Sequence, residues 1–244
     1  MKQASLFLAL ALTAVAADNP PRMLRLYQTE VPAESAADLY AAQRDIAGIY
    51  QANKAPITRS AWTSMTGPPM LYYVVPFSGI ALMGETTWLQ QQGDESSRQA
   101  RASRLNKVGG ATASKISSVE EDLTWTTAPQ YAPSAYAIGT VYSVKPGKVT
   151  DFLAALKEGS DTHKKIGKAK SLTVARVTFG GDGYEYHVFA EYDSLIDLEA
   201  GRGFRASMGE AGYKAYAQKI GDNISSMQRN VLRFRPEFSY APSK

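Results

Sequence analysis

Two tandem copies of a β-α-β-β-α-β unit, packed sheet to sheet in an α+β molecule, are what the sequence predicts. Three observations predict it. The order strand, helix, hairpin, helix, strand runs twice along the chain. Each run carries a hairpin marked by turn residues, Gly67-Pro68-Pro69 in the first and Gly180-Gly181-Asp182-Gly183 in the second. Short words also recur at a similar distance: Ile116-Ser117-Ser118 returns as Ile224-Ser225-Ser226, and the Tyr-Ala-Pro-Ser ending at Ser134 returns ending at Ser243.

Each element has its own reason. Residues 1–17 combine a basic start, an apolar run and small residues before Asp18-Asn19-Pro20-Pro21, the pattern of a secretory signal peptide. Residues 22–128 form the first unit. "MLRLYQTEV" is rich in strand formers, and the next segment places Leu39, Ile46 and Ile49 at helical spacing. Two extended runs flank Gly67-Pro68-Pro69, a long polar helical stretch runs from about Gly79 to Asp122 with breaks near Gly93 and Gly109-Gly110, and "LTWTT" is expected to close the unit as its fourth strand. Residues 129–135 are a Pro-rich linker, and residues 136–240 repeat the order with "SAYAIGTVYSV", "GKVTDFLAALKEG" and a hairpin around the glycines. Sliding one half on the other sets Asp38-Leu39 on Asp151-Phe152 and Tyr72 on Tyr186. The expected unit is the ferredoxin-like split β-α-β, whose two helices cover one sheet face and leave the other for a second sheet.

Bulk composition excludes several functions. There is no cysteine, so no disulfide, thiolate nucleophile or Cys-ligated metal. A formal charge of +4, from 27 basic and 23 acidic residues, is too even for a nucleic-acid face. Beyond the leader nothing is long and apolar enough for stable membrane insertion. Walker, dinucleotide, Gly-x-Ser-x-Gly and zinc patterns are missing, and no cofactor and no metal are expected.

The stretch "YHVFAEYDSLIDLEAGRGF", followed by "AYAQKIGDNISSMQRNVLRF", resembles the second half of dimeric α/β-barrel domains, the antibiotic-biosynthesis-monooxygenase-like, NIPSNAP-like and EthD-like groups. The resemblance covers each half once, more clearly the second. It implies a barrel built within one chain from two units that such families bring together as a dimer. It also implies that a helix histidine can serve as a haem ligand and that cofactor-free oxygenation of quinol-like aromatics occurs on this fold.

Two histidines limit the chemistry. His187 lies on a strand, and its sharper reading is a barrel-interior group near Arg176, Arg233 and Arg235 that orients or protonates a ligand. If Leu232 and Phe234 face the helices, Arg233 and Arg235 face the space between the sheets and suit a planar anion. Trp62, Tyr72 and Tyr186 complete the candidate ligand-binding set. His163, flanked by Asp161, Lys164 and Lys165, reads as a surface residue, with haem ligation as its alternative. The leading expectation is an exported protein with no demonstrable catalytic machinery that binds a small, partly apolar or anionic molecule between its sheets. A cofactor-independent monooxygenase-like or haem-binding enzyme, and a structural or partner-binding module, stay open beside it, as does a homo-oligomer.

Overall fold

The computed structural model describes residues 22–127, 133–200 and 203–242. The expected signal peptide lies outside the described residues, as does most of the expected linker. The first half supplies β1 (Met23–Glu30), α1 (Ala36–Ala52), β2 (Ser60–Ser64), β3 (Met70–Phe77), a 3-10 helix over Ile80–Gln91, α2 (Glu95–Val108) and β4 (Thr112–Val119). A 3-10 turn at Glu121–Leu123 and a two-residue strand β5 (Trp125–Thr126) follow. The second half supplies β6 (Tyr136–Val144), α3 (Val149–Ile166), β7 (Ser171–Phe179), β8 (Glu185–Tyr192), α4 (Leu195–Ala200), α5 (Gly203–Asn223), β9 (Ile224–Phe234) and a 3-10 turn at Pro236–Phe238.

Local chemistry accounts for these elements. In α1, Leu39, Ala42, Ile46 and Tyr50 repeat at helical spacing and are buried against the sheet. The Asp94 side chain caps α2 by accepting from the Ser97 amide at 2.7 Å. Gly167, in the left-handed conformation at φ 69°, ends α3. The β7–β8 hairpin needs its glycine: Gly180 has φ 81°, and a Cβ there would sit 2.3 Å from the Ser114 carbonyl oxygen.

All strand pairs are antiparallel, in the order β4-β1-β3-β2-β9-β6-β8-β7-β5. A further β4–β7 pairing closes the sheet into a barrel. The halves therefore meet edge to edge as well as face to face. β2 pairs with β9 from Trp62↔Phe234 to Ser64↔Leu232, and β4 pairs with β7 from Ile116↔Phe179 to Val119↔Ala175. Closure pairs β2 with the end of β9 and β4 with β7, while residues 226–230 of β9 pair with β6 alone.

Two expectations are corrected. The fourth strand of the first half is Thr112–Val119, not "LTWTT", of which only Trp125 and Thr126 are strand. "TASKISSV" has few apolar residues because Lys115 and Ser117 point into the barrel, where Lys115 meets Glu185. The recurring words also fall out of step. Ile116 pairs with Arg25 in the middle of β1, whereas Ile224 pairs with Val144 at the end of β6. Leu71 pairs with Thr29 while Tyr186 pairs with Tyr142, so Tyr186 occupies the ladder step of Leu71 rather than that of Tyr72. A one-residue slip moves a side chain to the opposite face of a sheet. Tyr72 accordingly packs inside the barrel with Trp62, Leu232 and Phe234, and Tyr186 packs under α3 against Phe152.

The segments after β4 and β9 do match in detail. Thr124 Oγ1 accepts from the Val174 amide at 3.0 Å, and Ser239 Oγ accepts from the Ala61 amide at 2.9 Å. Each tail crosses to the other half. Trp125 pairs with Leu172 and Tyr240 bridges Arg59, so Leu123 joins the core under α3 while Phe238 and Tyr240 join the cores under α1.

Candidate functional site

A cavity of about 720 Å³ lies in the second half, between the outer face of β6, β7, β8 and β9 and helices α3, α4 and α5. That volume is in the usual range for small-molecule sites. It sits outside the barrel interior, where the sequence reading placed the ligand. Its origin is legible along α3: the buried face runs Phe152, Ala155, Leu156, Gly159, Ser160, from large side chains to small ones, and then reaches His163. A Cβ on Gly159 would come within 2.5 Å of the Tyr216 hydroxyl, so the glycine lets α5 approach α3 closely at this level.

Aromatic groups dominate the wall: Tyr142 from β6, Tyr192 from β8, and Phe204, Tyr213 and Tyr216 from α5. Phe204 packs tilted against the His163 ring at 4.8 Å between centroids and meets the Tyr216 ring at 5.1 Å. Burial, reinforced by the Arg229 charge, holds the His163 imidazole down at about 4, so it is neutral at physiological pH. His163 is thus a half-buried member of the cavity wall and not a surface residue. Burial raises Tyr192 to about 12 and raises Tyr142 and Tyr216 as well. The Tyr192 hydroxyl is fully buried, with no hydrogen-bond partner among the described residues. Arg229 Nε donates to Thr140 Oγ1 at 3.2 Å, and the guanidinium also faces Tyr142.

The same place in the first half holds packed aromatic and polar side chains. Tyr50, at the helix position of His163, packs against Trp88 at 5.3 Å and Tyr240 at 5.8 Å. The Arg59 guanidinium lies 3.4 Å from the centre of the Tyr73 ring and donates to Gln43 Oε1, which also accepts from the Tyr73 hydroxyl.

The residues singled out in the sequence do not converge. His187 is buried inside the barrel, bound to Glu185, which Lys115 reaches from β4 at 2.6 Å. Burial alone would raise Glu185, but bonds from His187 and Lys115 outweigh it and hold the carboxyl at about 2. Arg176 and Arg233 are exposed on the opposite face of their strands, because Leu232 and Phe234 point into the barrel and not toward the helices. Arg176 donates to the Gly183 carbonyl at 2.9 Å. Arg235 pairs with Glu237 at 2.6 Å and lies over the rings of Tyr40 and Phe238. Trp62 and Tyr72 are barrel packing, Trp62 against Phe234 at 5.2 Å, and Tyr186 lies under α3 outside the cavity lining. The functional candidates that sequence reasoning missed are Arg229, Tyr142, Tyr192, Phe204, Tyr213 and Tyr216. Their signal was the small-residue stripe leading to His163.

Among the described residues no helix is long and apolar enough to cross a membrane, and no group of His, Asp or Glu could hold a metal ion. Residues 140–238 match the NIPSNAP family. No curated protein matches the chain. Among solved structures, a monooxygenase candidate from Fusobacterium nucleatum is similar at TM-score 0.66 and 14% identity, covering 88% of this chain and 93% of that one. An anthrone oxidase-like protein is similar at TM-score 0.66 and 13% identity, covering 92% and 94%. A heme-binding protein from Thermus thermophilus is similar at TM-score 0.52 and 11% identity, covering 90% and 96%. The antiparallel sheet closed into a barrel is thus a fold this chain shares with those solved structures, and residues 140–238 within its second half match NIPSNAP.

Proposed function

We propose that this chain is a small-molecule-binding protein whose ligand occupies the cavity between the second half's sheet and helices α3 and α5. The observation that carries this reading is the cavity itself: about 720 Å³ with aromatic walls and a few polar groups directed into it. The contrast with the first half supports it, because a packed Arg59–Gln43–Tyr73 network lies beneath α1 there. We read the two halves as tandem ferredoxin-like units of common origin. Strand orders β4-β1-β3-β2 and β9-β6-β8-β7, with their matching tails, support that history. In it one unit kept an open site and the other closed. We also propose export, on the signal-like leader; N-terminal sequencing of the mature protein from its host would find a start near Asp18, and an intact Met1 would refute it.

Native mass spectrometry of protein purified from its host tests the binding reading. A co-purifying small molecule that is lost from the cavity-filling variant L156W is the expected result. A cavity that takes up neither a native molecule nor any aromatic probe would overturn it.

Haem is a second reading, favoured by His163. A neutral imidazole is the form that ligates iron, and the residues present fit such a group: one nitrogen donor, aromatic and aliphatic walls, and a guanidinium for an acidic substituent. Haem supplies redox and oxygen chemistry that side chains lack. His163 would hold it and Phe204, packed against the imidazole, would fix the ring's orientation. Addition of haemin should give a Soret band that H163A abolishes and H187A retains. No band, or one indifferent to H163A, would remove this reading.

A further inference from the structure

We propose that Arg229 is the anion anchor of this cavity, and that the ligand is a flat aromatic molecule carrying a carboxylate or a similar planar oxyanion. This rests on the cavity being the binding site. The two arginines in the lining differ in what neutralises them. Arg205 is held by Glu210 through both carboxylate oxygens, at 2.6 and 2.5 Å. Arg229 has no carboxylate partner among the described residues. The nearby acid Glu158 is taken by Lys219 at 2.8 Å.

Five uncharged groups interact with Arg229, while Glu199 of α4 and Arg205 are the other charged residues of the lining. Thr140 Oγ1 accepts from its Nε, and Tyr142, Tyr192, Tyr216 and His163 lie within its field. Hydroxyls and a neutral imidazole orient a guanidinium without cancelling its charge. With Nε on Thr140 and the Tyr142 hydroxyl also bonded to the guanidinium, the remaining terminal N–H groups can meet a planar, two-oxygen acceptor, the geometry a guanidinium fork binds best. Phe204, Tyr213 and Tyr142 provide faces against which a ring can lie.

Calorimetric titration with naphthoate, and with naphthamide of the same substitution, separates charge recognition from shape. Wild-type protein should bind the acid at least about tenfold more tightly than the amide, as expected for a charge-assisted bond. R229Q should erase that preference and leave amide affinity within about twofold, R229K should restore part of it, and R205Q should retain it. A preference that survives in R229Q, or an absent preference in wild type, would overturn the anchor while leaving the binding site standing. Binding of neither probe to wild type would overturn both.

Discussion

His163 and Tyr50 occupy matching places on their helices, yet one lines a cavity and the other packs against Trp88 and Tyr240. Sequence alone could not separate them, because the neighbours of His163 along the chain, Asp161, Lys164 and Lys165, are charged while its neighbours across the fold, Phe204 and Arg229, lie far away in sequence. Its depressed pKa has a definite sign: neutral His163 stabilises the fold fully above about pH 6.5, and that stability is lost as pH falls toward 4. H163Q should therefore flatten the acid side of a plot of Tm against pH; an unchanged profile would place the imidazole in free solvent. Glu191 acts in the opposite direction. It is 3% exposed, and burial, only partly offset by the Ser134 amide, raises it to about 8. Its contribution is intact below about pH 4.5 and is lost as pH rises through 8, on the order of a few kcal/mol. E191Q should remove that decline between pH 5 and 8 in thermal melts, and a wild-type Tm that does not fall there would refute it.

Secondary-structure elements were legible where periodicity was strong. α1 and α3 announce themselves through apolar residues at helical spacing, and both hairpins through their turn residues. β4 was hidden because its inward side chains are Lys115 and Ser117, and the barrel satisfies Lys115 with a carboxylate from β8 that no local pattern reveals. The outward or inward sense of β9 was equally hidden, since Leu232 and Phe234 could cover either face until their partners Trp62 and Ala137 were placed. At this scale Gly180 is a sharp test. G180A must hold a positive φ and meet the Ser114 carbonyl, so urea unfolding should show a loss of about 1–3 kcal/mol, against a few tenths for G183A, whose Cβ would meet nothing within 4 Å. Equal effects would mean that the hairpin does not press on β4.

For the molecule as a whole, architecture was readable from the repeated element order, but the manner of closure was not. Composition and periodicity do not say whether two sheets stack with free edges or join through them; the β2–β9 and β4–β7 ladders decide that. Separated halves would each expose two unpaired edges, β2 and β4 or β7 and β9. Residues 136–240 expressed alone should accordingly self-associate, read by sedimentation as a dimer or larger species, whereas mixing with residues 22–128 should recover a one-to-one complex. A stable monomeric half would contradict the closed-barrel account.

The crossed tails have a consequence for how the protein comes apart. Trp125, contributed by the first half, donates its indole N–H to Ser160 on α3 at 3.0 Å, and Ser160 in turn donates to the Leu123 carbonyl at 3.0 Å. On the other side, Tyr240 of the second half donates to the Ala55 carbonyl at 3.1 Å beneath α1. Each lobe thus keeps part of its interior on loan from its neighbour, so melting one strips the other, and a chain with two look-alike lobes should lose heat-capacity structure in a single calorimetric peak.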